Sequence, residues 1–281
     1  MVLQPATGAI LAMVSVPVFA PEAFAAPDVE AVRRLLNDPA APLMNRAAVG
    51  IYQPGSIMKL VTASAALEHK LITPSTSIAC PGSLTLGDRA FRCWFQDGHG
   101  PMTLREALMQ SCNVYFMRVG LKLGAQRLRS AMEAMGCSHR TGWPFEEQPG
   151  HLPRRRLTDG DVALLAIGQG ELLVTVLQAA RMASVFANKG WLVEPWVVRS
   201  IADRPVGRRP PPRRLGWSDE TIEAVREGMK AVVADRSGTG HRALSPLVSI
   251  AGKTGTAQTG VPGRSHGWFV GFCPVEQPRI A

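Results

Sequence analysis

Two residues that could do chemistry together, Ser56 and Lys59, stand three positions apart, directly after a Pro-Gly pair and at the start of an apolar pattern with helical spacing. Side chains three positions apart on a helix share a face, so the lysine can reach the serine hydroxyl. A serine becomes nucleophilic when an adjacent base accepts its proton, and a lysine whose pKa is lowered by burial is such a base. Serine is also a common helix N-cap, so the pair alone leaves both interpretations open.

Two further polar motifs lie downstream of this pair. Ser111 and Asn113 flank a cysteine at a predicted corner between two helices, and the run Lys-Thr-Gly-Thr begins at Lys253 in a predicted strand. Each motif by itself occurs by chance in many chains. The three together, in the order Ser-x-x-Lys, Ser-x-Asn and Lys-Thr-Gly, indicate that Ser56 is a nucleophile rather than only a helix cap.

The elements that must position these motifs are predicted as strands at both ends of the chain with helices between them. This order favours an α+β domain in which the sheet carries a helical insertion. A capping box formed by Thr103 and Glu106 predicts the start of the helix that precedes Ser111. Besides the helix at Ser56, helices are predicted at residues 28–36, 104–110, 114–123, 126–135, 160–167, 175–189 and 218–235. Strands are predicted at residues 9–15, 191–201, 248–256 and 267–273, and a loop at residues 78–102.

The composition is that of a folded, basic chain. With 281 residues and 46% hydrophobic content, the chain can bury a large core. Its net charge of +9 suits an anionic partner such as a nucleic acid, a phospholipid surface or an acidic polymer. In the run from Arg204 to Arg214 the arginines alternate with proline instead of aromatic stacking residues, which argues against nucleic acid. That run is predicted to be a solvated connection between structured segments.

Nearly every segment of the chain resembles the transpeptidase domain of class B penicillin-binding proteins, in particular their elongation type. The resemblance rests on the three motifs and on the sequences around them, such as "YQPGSIMKL", "TLREALMQSCNVYFMRVGLKLG" and "AGKTGTAQ". It implies the penicillin-binding protein/β-lactamase-like fold, in which helices flank a central antiparallel sheet. It also implies an all-helical subdomain, roughly residues 57–190, inserted between the sheet-forming ends of the domain 1–281. The active site would lie between the sheet and this subdomain.

The resemblance implies a role for each residue of the first two motifs. Ser56 would attack the carbonyl of the penultimate D-Ala of a peptidoglycan stem peptide and form an acyl-enzyme. Lys59 would be the base for that step, although the identity of the base is disputed within the superfamily. Ser111 would relay a proton to the leaving amine, and Asn113 would hold the substrate amide. An amine from a neighbouring stem peptide would then resolve the acyl-enzyme and complete the cross-link.

The third motif would bind the end of the substrate. Lys253 would supply positive charge, and the hydroxyls of Thr254 and Thr256 would contact the terminal carboxylate. Gly255 would be needed because a side chain there would block a substrate lying along the strand. The backbone N–H groups of Ser56 and Thr256 would form the oxyanion hole.

Two rival functions share the predicted fold. A β-lactamase must also hydrolyse the acyl-enzyme quickly, and class A enzymes do so with a glutamate and a nearby asparagine. Glu146 and Glu147 lie at a suitable distance after Asn113, but their segment "EEQPGHLP" contains no asparagine, so slow hydrolysis is expected. A β-lactam sensor would bind the antibiotic without turnover. The long transpeptidase-like segments argue against a sensor.

Three cysteines and a histidine between the first two motifs suggest a metal site. Cys80, Cys93, His99 and Cys112 make a Cys₃His set, which suits tetrahedral zinc. The resemblance implies a structural zinc here, held by two aspartates, a histidine and a cysteine, so Asp88 could replace Cys80. The alternative is a Cys80–Cys93 disulfide, with Cys112 simply buried. No organic cofactor is expected. Two further cysteines are interpreted as ordinary apolar positions: Cys137 and Cys273.

The ends of the chain bear on location and partners. The amino end imitates a signal peptide but lacks a positive n-region, and it is better interpreted as two strands joined by a turn. No apolar run reaches the ~18 residues that a membrane helix needs. The family's final sheet strand and closing helix are expected to be missing.

The resemblance implies that the full-length protein lies at the periplasmic face of the bacterial inner membrane. Its partners would be stem peptides, β-lactams and the cell-wall elongation machinery, including a glycosyltransferase.

Overall fold

The structure is a computed structural model and describes residues 1–25, 28–206, 210–258 and 263–281. The helices in these ranges are α1 (Glu22–Ala25), α2 (Val29–Asn37), α3 (Lys59–Glu68), α4 (Leu104–Met109), α5 (Asn113–Ala134), α6 (Asp159–Ala166), α7 (Val176–Ala187) and α8 (Asp219–Ala234). The strands are β1 (Val2–Leu3), β2 (Ile10–Ala12), β3 (Ile78–Cys80), β4 (Ser83–Leu86), β5 (Arg89–Arg92), β6 (Gly100–Met102), β7 (Trp191–Leu192), β8 (Ser200–Ile201), β9 (Arg204–Pro205), β10 (Arg213–Arg214), β11 (Ala251–Gln258) and β12 (Ser265–Phe272).

Helix α3 lies at the centre of the hydrophobic core. All of its residues from Lys59 to Ala66 are buried, as expected for a helix that is largely apolar all round. It packs against α5 and α8, and one turn of 3₁₀ helix, Gly55–Met58, precedes it. Ser56 therefore sits in a tight turn that is clamped to the core by the helix that follows. The prediction of a helix at this position is confirmed.

The two long strands form an antiparallel pair beside this turn. β11 and β12 pair over eight residues each, from Ala251 opposite Phe272 to Gln258 opposite Ser265. β11 packs against both the 3₁₀ turn and α8. Leu3 of β1 exchanges two backbone hydrogen bonds with Ala281, 2.8 and 2.9 Å long, and both β1 and β12 pack against α7. The first and last segments of the chain are thus hydrogen-bonded to each other, and the helices lie between these segments in the sequence.

The segment between α3 and α4 differs from the prediction. Residues 78–102 were expected to form a loop in an all-helical subdomain, but they contain four strands arranged as two antiparallel pairs, β3 with β6 and β4 with β5. Each of these strands has only three or four residues, too few for an alternating pattern to stand out in a sequence. The boundaries of the predicted insertion, roughly residues 57–190, stay a prediction.

Most helix boundaries follow from local signals. Capping boxes at Thr103, Thr158 and Thr175 start α4, α6 and α7. The non-helical φ of 75° at Gly124 separates the two helices that were predicted within α5. The strand predicted at residues 191–201 forms only at its ends, as β7 and β8. Residues 207–209 of the predicted connection lie outside the described residues.

No helix in the described ranges combines the length and the apolar character needed to cross a membrane.

Candidate active site

The fold brings the three motifs to one groove with a volume of about 1030 Å³. The 3₁₀ turn supplies Ser56, the corner between α4 and α5 supplies Ser111 and Asn113, and β11 supplies Thr254 and Thr256. These side chains come from positions that are far apart in the chain, and only packing of α3, α5 and β11 around one point makes them neighbours.

Lys59 connects the first motif to the second. Its Nζ atom is fully buried and donates hydrogen bonds to the Ser111 carbonyl oxygen at 2.7 Å, to Ser111 Oγ at 3.3 Å and to Asn113 Oδ1 at 2.7 Å. Ser111 adopts a left-handed φ of 55°, which is uncommon for a residue other than glycine. This conformation lets its carbonyl and its hydroxyl both accept from the same ammonium, so the strain serves the site.

Lys253 connects the third motif to the second, but from behind the groove. Its Nζ atom is completely buried and donates to Ser111 Oγ at 2.8 Å and to the Thr254 carbonyl at 2.9 Å. Lys253 does not line the groove. The role expected for Lys253, to supply positive charge at the substrate site, stays a prediction. The lysine acts on the hydroxyl of Ser111, and the side chains of Thr254 and Thr256 form the surface.

Burial shapes the protonation of both lysines. Desolvation lowers the pKa of Lys59 to about 7, although the nearby sulfur atoms of Cys112 and Cys93 favour its charged form. Desolvation, together with repulsion from Lys59, also holds the pKa of Lys253 well below its usual range. Two ammonium groups that share one hydroxyl in a low-dielectric interior repel each other strongly. A neutral lysine, and hence a base, is available near neutral pH.

Ser56 is half-buried and faces the groove. Its hydroxyl makes no hydrogen bond within the part of the chain that the structure describes, because Lys59 is directed to Ser111 and Asn113 instead. Contacts between a nucleophile and its base are often long before substrate binds. The preceding residue, Gly55, has φ +57°, and a Cβ there would lie 2.5 Å from the Thr256 carbonyl oxygen. Glycine is thus what allows the turn to lie against β11.

Gly255 lies where β11 passes the turn that carries Ser56. A Cβ at this position would lie 2.9 Å from the Pro54 carbonyl oxygen and 3.1 Å from Ile57 Cγ2. The missing side chain therefore makes room for the turn that carries Ser56. The expectation that this glycine also keeps the groove clear for substrate stays a prediction, and Gly255 is among the residues that line the groove.

Several residues of the groove were missed by the sequence analysis. Gln169 lines the groove and donates from Nε2 to the Thr256 carbonyl at 3.2 Å. Thr239 accepts a hydrogen bond from Thr254 Oγ1 at 2.7 Å. The sequence signal for a tight loop at Gln169 was the glycine on each side of it. Both glycines adopt a positive φ in the structure. Further lining residues come from β5 and β12, among them Arg89, Arg92 and Trp268.

The Cys₃His set converges directly behind the Ser-x-Asn corner. The four ligand atoms lie within 4.8 Å of one another. They are three sulfur atoms and one ring nitrogen, from Cys80, Cys93, Cys112 and His99. Asp88 is exposed and does not belong to this group. All five cysteines are free thiols, including the buried Cys137 and the half-buried Cys273.

Two of the ligand separations in this cluster are close to those of a tetrahedral zinc site. Zinc–ligand distances of about 2.3 Å to sulfur and about 2.0 Å to nitrogen imply roughly 3.8 Å between two sulfurs and roughly 3.6 Å between sulfur and nitrogen. The observed separations are 4.0 Å between the sulfurs of Cys93 and Cys112, and 3.6 Å from Cys93 Sγ to His99 Nδ1. Backbone N–H groups of Asn113 and Tyr115 donate to these two sulfurs. The hydrogen bond between the Cys93 and Cys112 thiols holds the pKa of Cys93 below its usual range.

A serine on a tight turn, a buried lysine one helical turn later and two further polar motifs around one groove characterise serine enzymes that form an acyl intermediate. The comparison with known proteins agrees with this class. The chain belongs to the penicillin-binding protein transpeptidase domain family, whose profile matches residues 1–281. It is 33% identical to peptidoglycan D,D-transpeptidase MrdA of Acinetobacter baumannii over 99% of its own length and 46% of that protein.

Solved structures show the same similarity. The structure of Helicobacter pylori PBP2 in complex with MreC has a TM-score of 0.89 and 30% identity over 99% of this chain and 54% of that one. The imipenem acyl-enzyme of penicillin-binding protein A from M. tuberculosis has a TM-score of 0.88 and 30% identity, over 99% of this chain and 66% of that one. These values confirm the predicted fold. The chain spans about half the length of the curated relatives it matches.

Proposed function

We propose that this chain is the catalytic domain of a serine-type peptidoglycan D,D-transpeptidase, which cross-links stem peptides during cell-wall elongation. The observation that carries the proposal is the hydrogen-bonded group in which Lys59 and Lys253 converge on Ser111 beside the groove that holds Ser56. That group joins all three motifs and supplies both a base and a proton relay. The relatives named as peptidoglycan D,D-transpeptidases and the acyl-enzyme formed by a relative support the same chemistry.

The first half of the reaction is acylation. The Ser56 hydroxyl attacks the carbonyl carbon of the penultimate D-Ala, and its proton passes to neutral Lys59. The negative charge that develops on the carbonyl oxygen is stabilised by the N–H groups of Ser56 and Thr256, each worth about 3 kcal/mol in such sites. Ser111, which lies between the two lysines, relays a proton to the nitrogen of the departing D-Ala. An ester to Ser56 has then replaced the peptide bond.

The second half of the reaction is aminolysis. An amine of a neighbouring stem peptide attacks the ester, and the same lysine and serine return the proton to Ser56. Asn113 faces the groove and, with Oδ1 held by Lys59, is oriented to bind the amide of the acyl donor. Thr254 and Thr256 offer hydroxyls to the terminal carboxylate before D-Ala leaves.

The β-lactamase alternative lacks a residue that would activate water. No aspartate or glutamate is found among the described residues that line the groove. Glu147 is buried elsewhere, where its carboxylate accepts hydrogen bonds from the backbone N–H and the hydroxyl of Thr141. Glu146 is exposed and does not line the groove either. The sensor alternative has no observation in its favour.

The distinction between the two enzymes can be measured with the chromogenic β-lactam nitrocefin. We expect a burst of about one nitrocefin per chain, as Ser56 is acylated, and then only very slow turnover, because no carboxylate in the groove activates water. An added D-amino acid should speed the second phase, since an amine is the natural acceptor. Rapid multiple turnover in water alone would assign the protein to the β-lactamases.

We also propose that Cys80, Cys93, His99 and Cys112 bind one structural zinc ion. The support is the donor set, the tetrahedral separations and the buried position of the cluster. Four protein ligands leave no open coordination position, so the ion would stabilise structure and take no part in the reaction. It would hold the loop that carries Ser111 and Asn113 from the side opposite the groove.

Elemental analysis of protein purified without a metal-binding tag tests this proposal. We expect about one zinc per chain in the wild type, and loss of zinc in Cys93→Ala and in His99→Ala. Both variants should also label more weakly with penicillin, because the Ser-x-Asn loop would loosen. The matched control is Cys137→Ala, which removes a buried thiol outside the cluster and should retain zinc. Metal-free wild type with a Cys80–Cys93 disulfide would refute the proposal.

The setting of the whole protein is also a proposal, and its relatives support part of it. We propose that it acts at the periplasmic face of the inner membrane as part of the elongation machinery, with a glycosyltransferase that makes the strands to be cross-linked. The H. pylori relative in complex with MreC supports membership in such an assembly. β-Lactams would be inhibitors, because they acylate the same serine.

A further inference from the structure

The charge in the groove is confined to one strand. Of the described residues that line it, Arg89 and Arg92 are the ones that carry a formal charge. Both side chains are exposed, and neither forms a salt bridge within the described part of the chain. Other exposed arginines, such as Arg155 and Arg214, are neutralised by a neighbouring carboxylate. The groove therefore presents two uncompensated positive charges.

The strand that carries these arginines is held in place. Phe91, which lies between them, is buried in the core, and β5 pairs with β4 along its whole length. The Arg89 guanidinium lies 5.0 Å from the centre of the Phe91 ring, a cation–π contact that limits its motion. The carbonyl of Arg92 accepts a hydrogen bond of 3.5 Å from Asn113 Nδ2. The arginines are thus tied to the residue that is proposed to hold the donor amide.

We propose that Arg89 and Arg92 recognise carboxylates on the acyl half of the donor, upstream of the bond that Ser56 cleaves. This inference rests on the proposed function. The carboxylate at the end of the donor is assigned to Thr254 and Thr256 on β11, whereas the arginines line the groove from β5 beside Asn113. Guanidinium groups bind carboxylates through paired hydrogen bonds, and this geometry suits an acidic side chain of an extended peptide.

The spacing of the two arginines suits such a ligand. Three residues along a strand cover about 10 Å, so Arg89 and Arg92 mark separate points of the groove rather than one clamp. An acidic peptide in extended form would pass both points. Because both guanidinium groups are exposed, their effect on acylation will be moderate and will decrease with ionic strength.

The test compares two penicillins that differ by one carboxylate. Carbenicillin is benzylpenicillin with an added carboxylate on the acyl side chain, so it probes the donor side of the groove. Second-order acylation rates are measured by competition with a fluorescent penicillin for the wild type, Arg89→Gln and Arg92→Gln. The control is Arg34→Gln, which removes an exposed arginine of α2 that does not line the groove.

Because carbenicillin adds a single carboxylate, we expect one of the two groove variants to lose about threefold to tenfold of its carbenicillin rate, and both variants to lose less than twofold of their benzylpenicillin rate. High salt should lower the wild-type rate with carbenicillin more than the rate with benzylpenicillin. Arg34→Gln should react with both penicillins at the wild-type rates. Zinc content is measured for Arg92→Gln, because Cys93 is its neighbour, and it should be unchanged.

Three results would overturn the inference. Equal losses for both penicillins would show that the arginines support the groove and not a carboxylate. Unchanged rates for both would show that they do not contact the donor. An effect confined to the aminolysis step would place the carboxylate on the acceptor. If neither penicillin acylates Ser56 in the wild type, the proposed function itself fails, which is a separate and recognisable outcome.

Discussion

Replacement of Ser56 with alanine should abolish covalent labelling by a fluorescent penicillin, while the wild type should take up about one molecule per chain. We expect this result because the alcohol is the atom that forms the ester, and no other group on the 3₁₀ turn can replace it. The change is small in volume and lies on a half-buried side chain without hydrogen-bond partners in the described part of the chain. The melting temperature should therefore stay within a few degrees of the wild type.

The control for this experiment is Ser75→Ala, which removes an exposed serine hydroxyl that does not line the groove. It should label like the wild type. Mass spectrometry of the labelled wild type should place the adduct on the peptide that contains Ser56. Labelling that survives Ser56→Ala, with an adduct on another residue, would contradict the assignment of the nucleophile and the proposed function together.

Replacement of Lys59 with methionine should lower the acylation rate by about a factor of a thousand, within the range that a positioned base contributes. Methionine has a similar length and is apolar, so it fills the buried space of the lysine chain. The Ser111 carbonyl and the Asn113 amide oxygen lose their donor, which costs about 1–3 kcal/mol of stability per group that stays buried and unpaired. The variant should fold at reduced temperature and still acylate slowly.

The pH dependence of acylation identifies the base independently of the loss in rate. Burial lowers the pKa of Lys59 to about 7. Only the neutral amine can accept the proton of Ser56, so the wild-type rate should rise with pH, reach half its maximum near pH 7 and level off above it. The rise of the acylation rate around pH 7 should be absent in Lys59→Met. Lys122→Met, at an exposed position of α5, serves as control and should keep both the rate and the profile.

A profile that keeps its midpoint in Lys59→Met would transfer the role of base to another group. Lys253 would be the first candidate, since its Nζ atom contacts the same Ser111 hydroxyl and its pKa is also lowered. A wild-type rate that falls between pH 6 and pH 8 would contradict a neutral lysine base altogether.

Local sequence patterns predicted the helices around the groove but not all of the segments that line it. The capping boxes, the apolar spacing of α3 and the break at Gly124 are interactions within a few residues, so they are visible in the order of the amino acids. The strand β5 and the loop with Gln169 were missed because each is short and gains its place from contacts with distant parts of the chain.

The sequence by itself determined the three motifs, their order and the chemical types that surround the groove. It also brought together the three cysteines and the histidine of the proposed zinc site, although it left Cys80 and Asp88 as alternatives. Only the tertiary structure favoured Cys80, because the choice depends on which side chain points into the cluster.

The tertiary structure also decided the electrostatics of the site. Lys59 and Ser111 are 52 positions apart, and Ser111 and Lys253 are 142 positions apart, yet one hydroxyl contacts both ammonium groups. The lowered pKa values of the two lysines arise from burial and from their proximity to each other, and neither quantity is a property of a local sequence. The local sequence therefore determines which residue types form the site. The protonation of the two lysines and the orientation of their side chains depend on how α3, α5 and β11 pack around the same point.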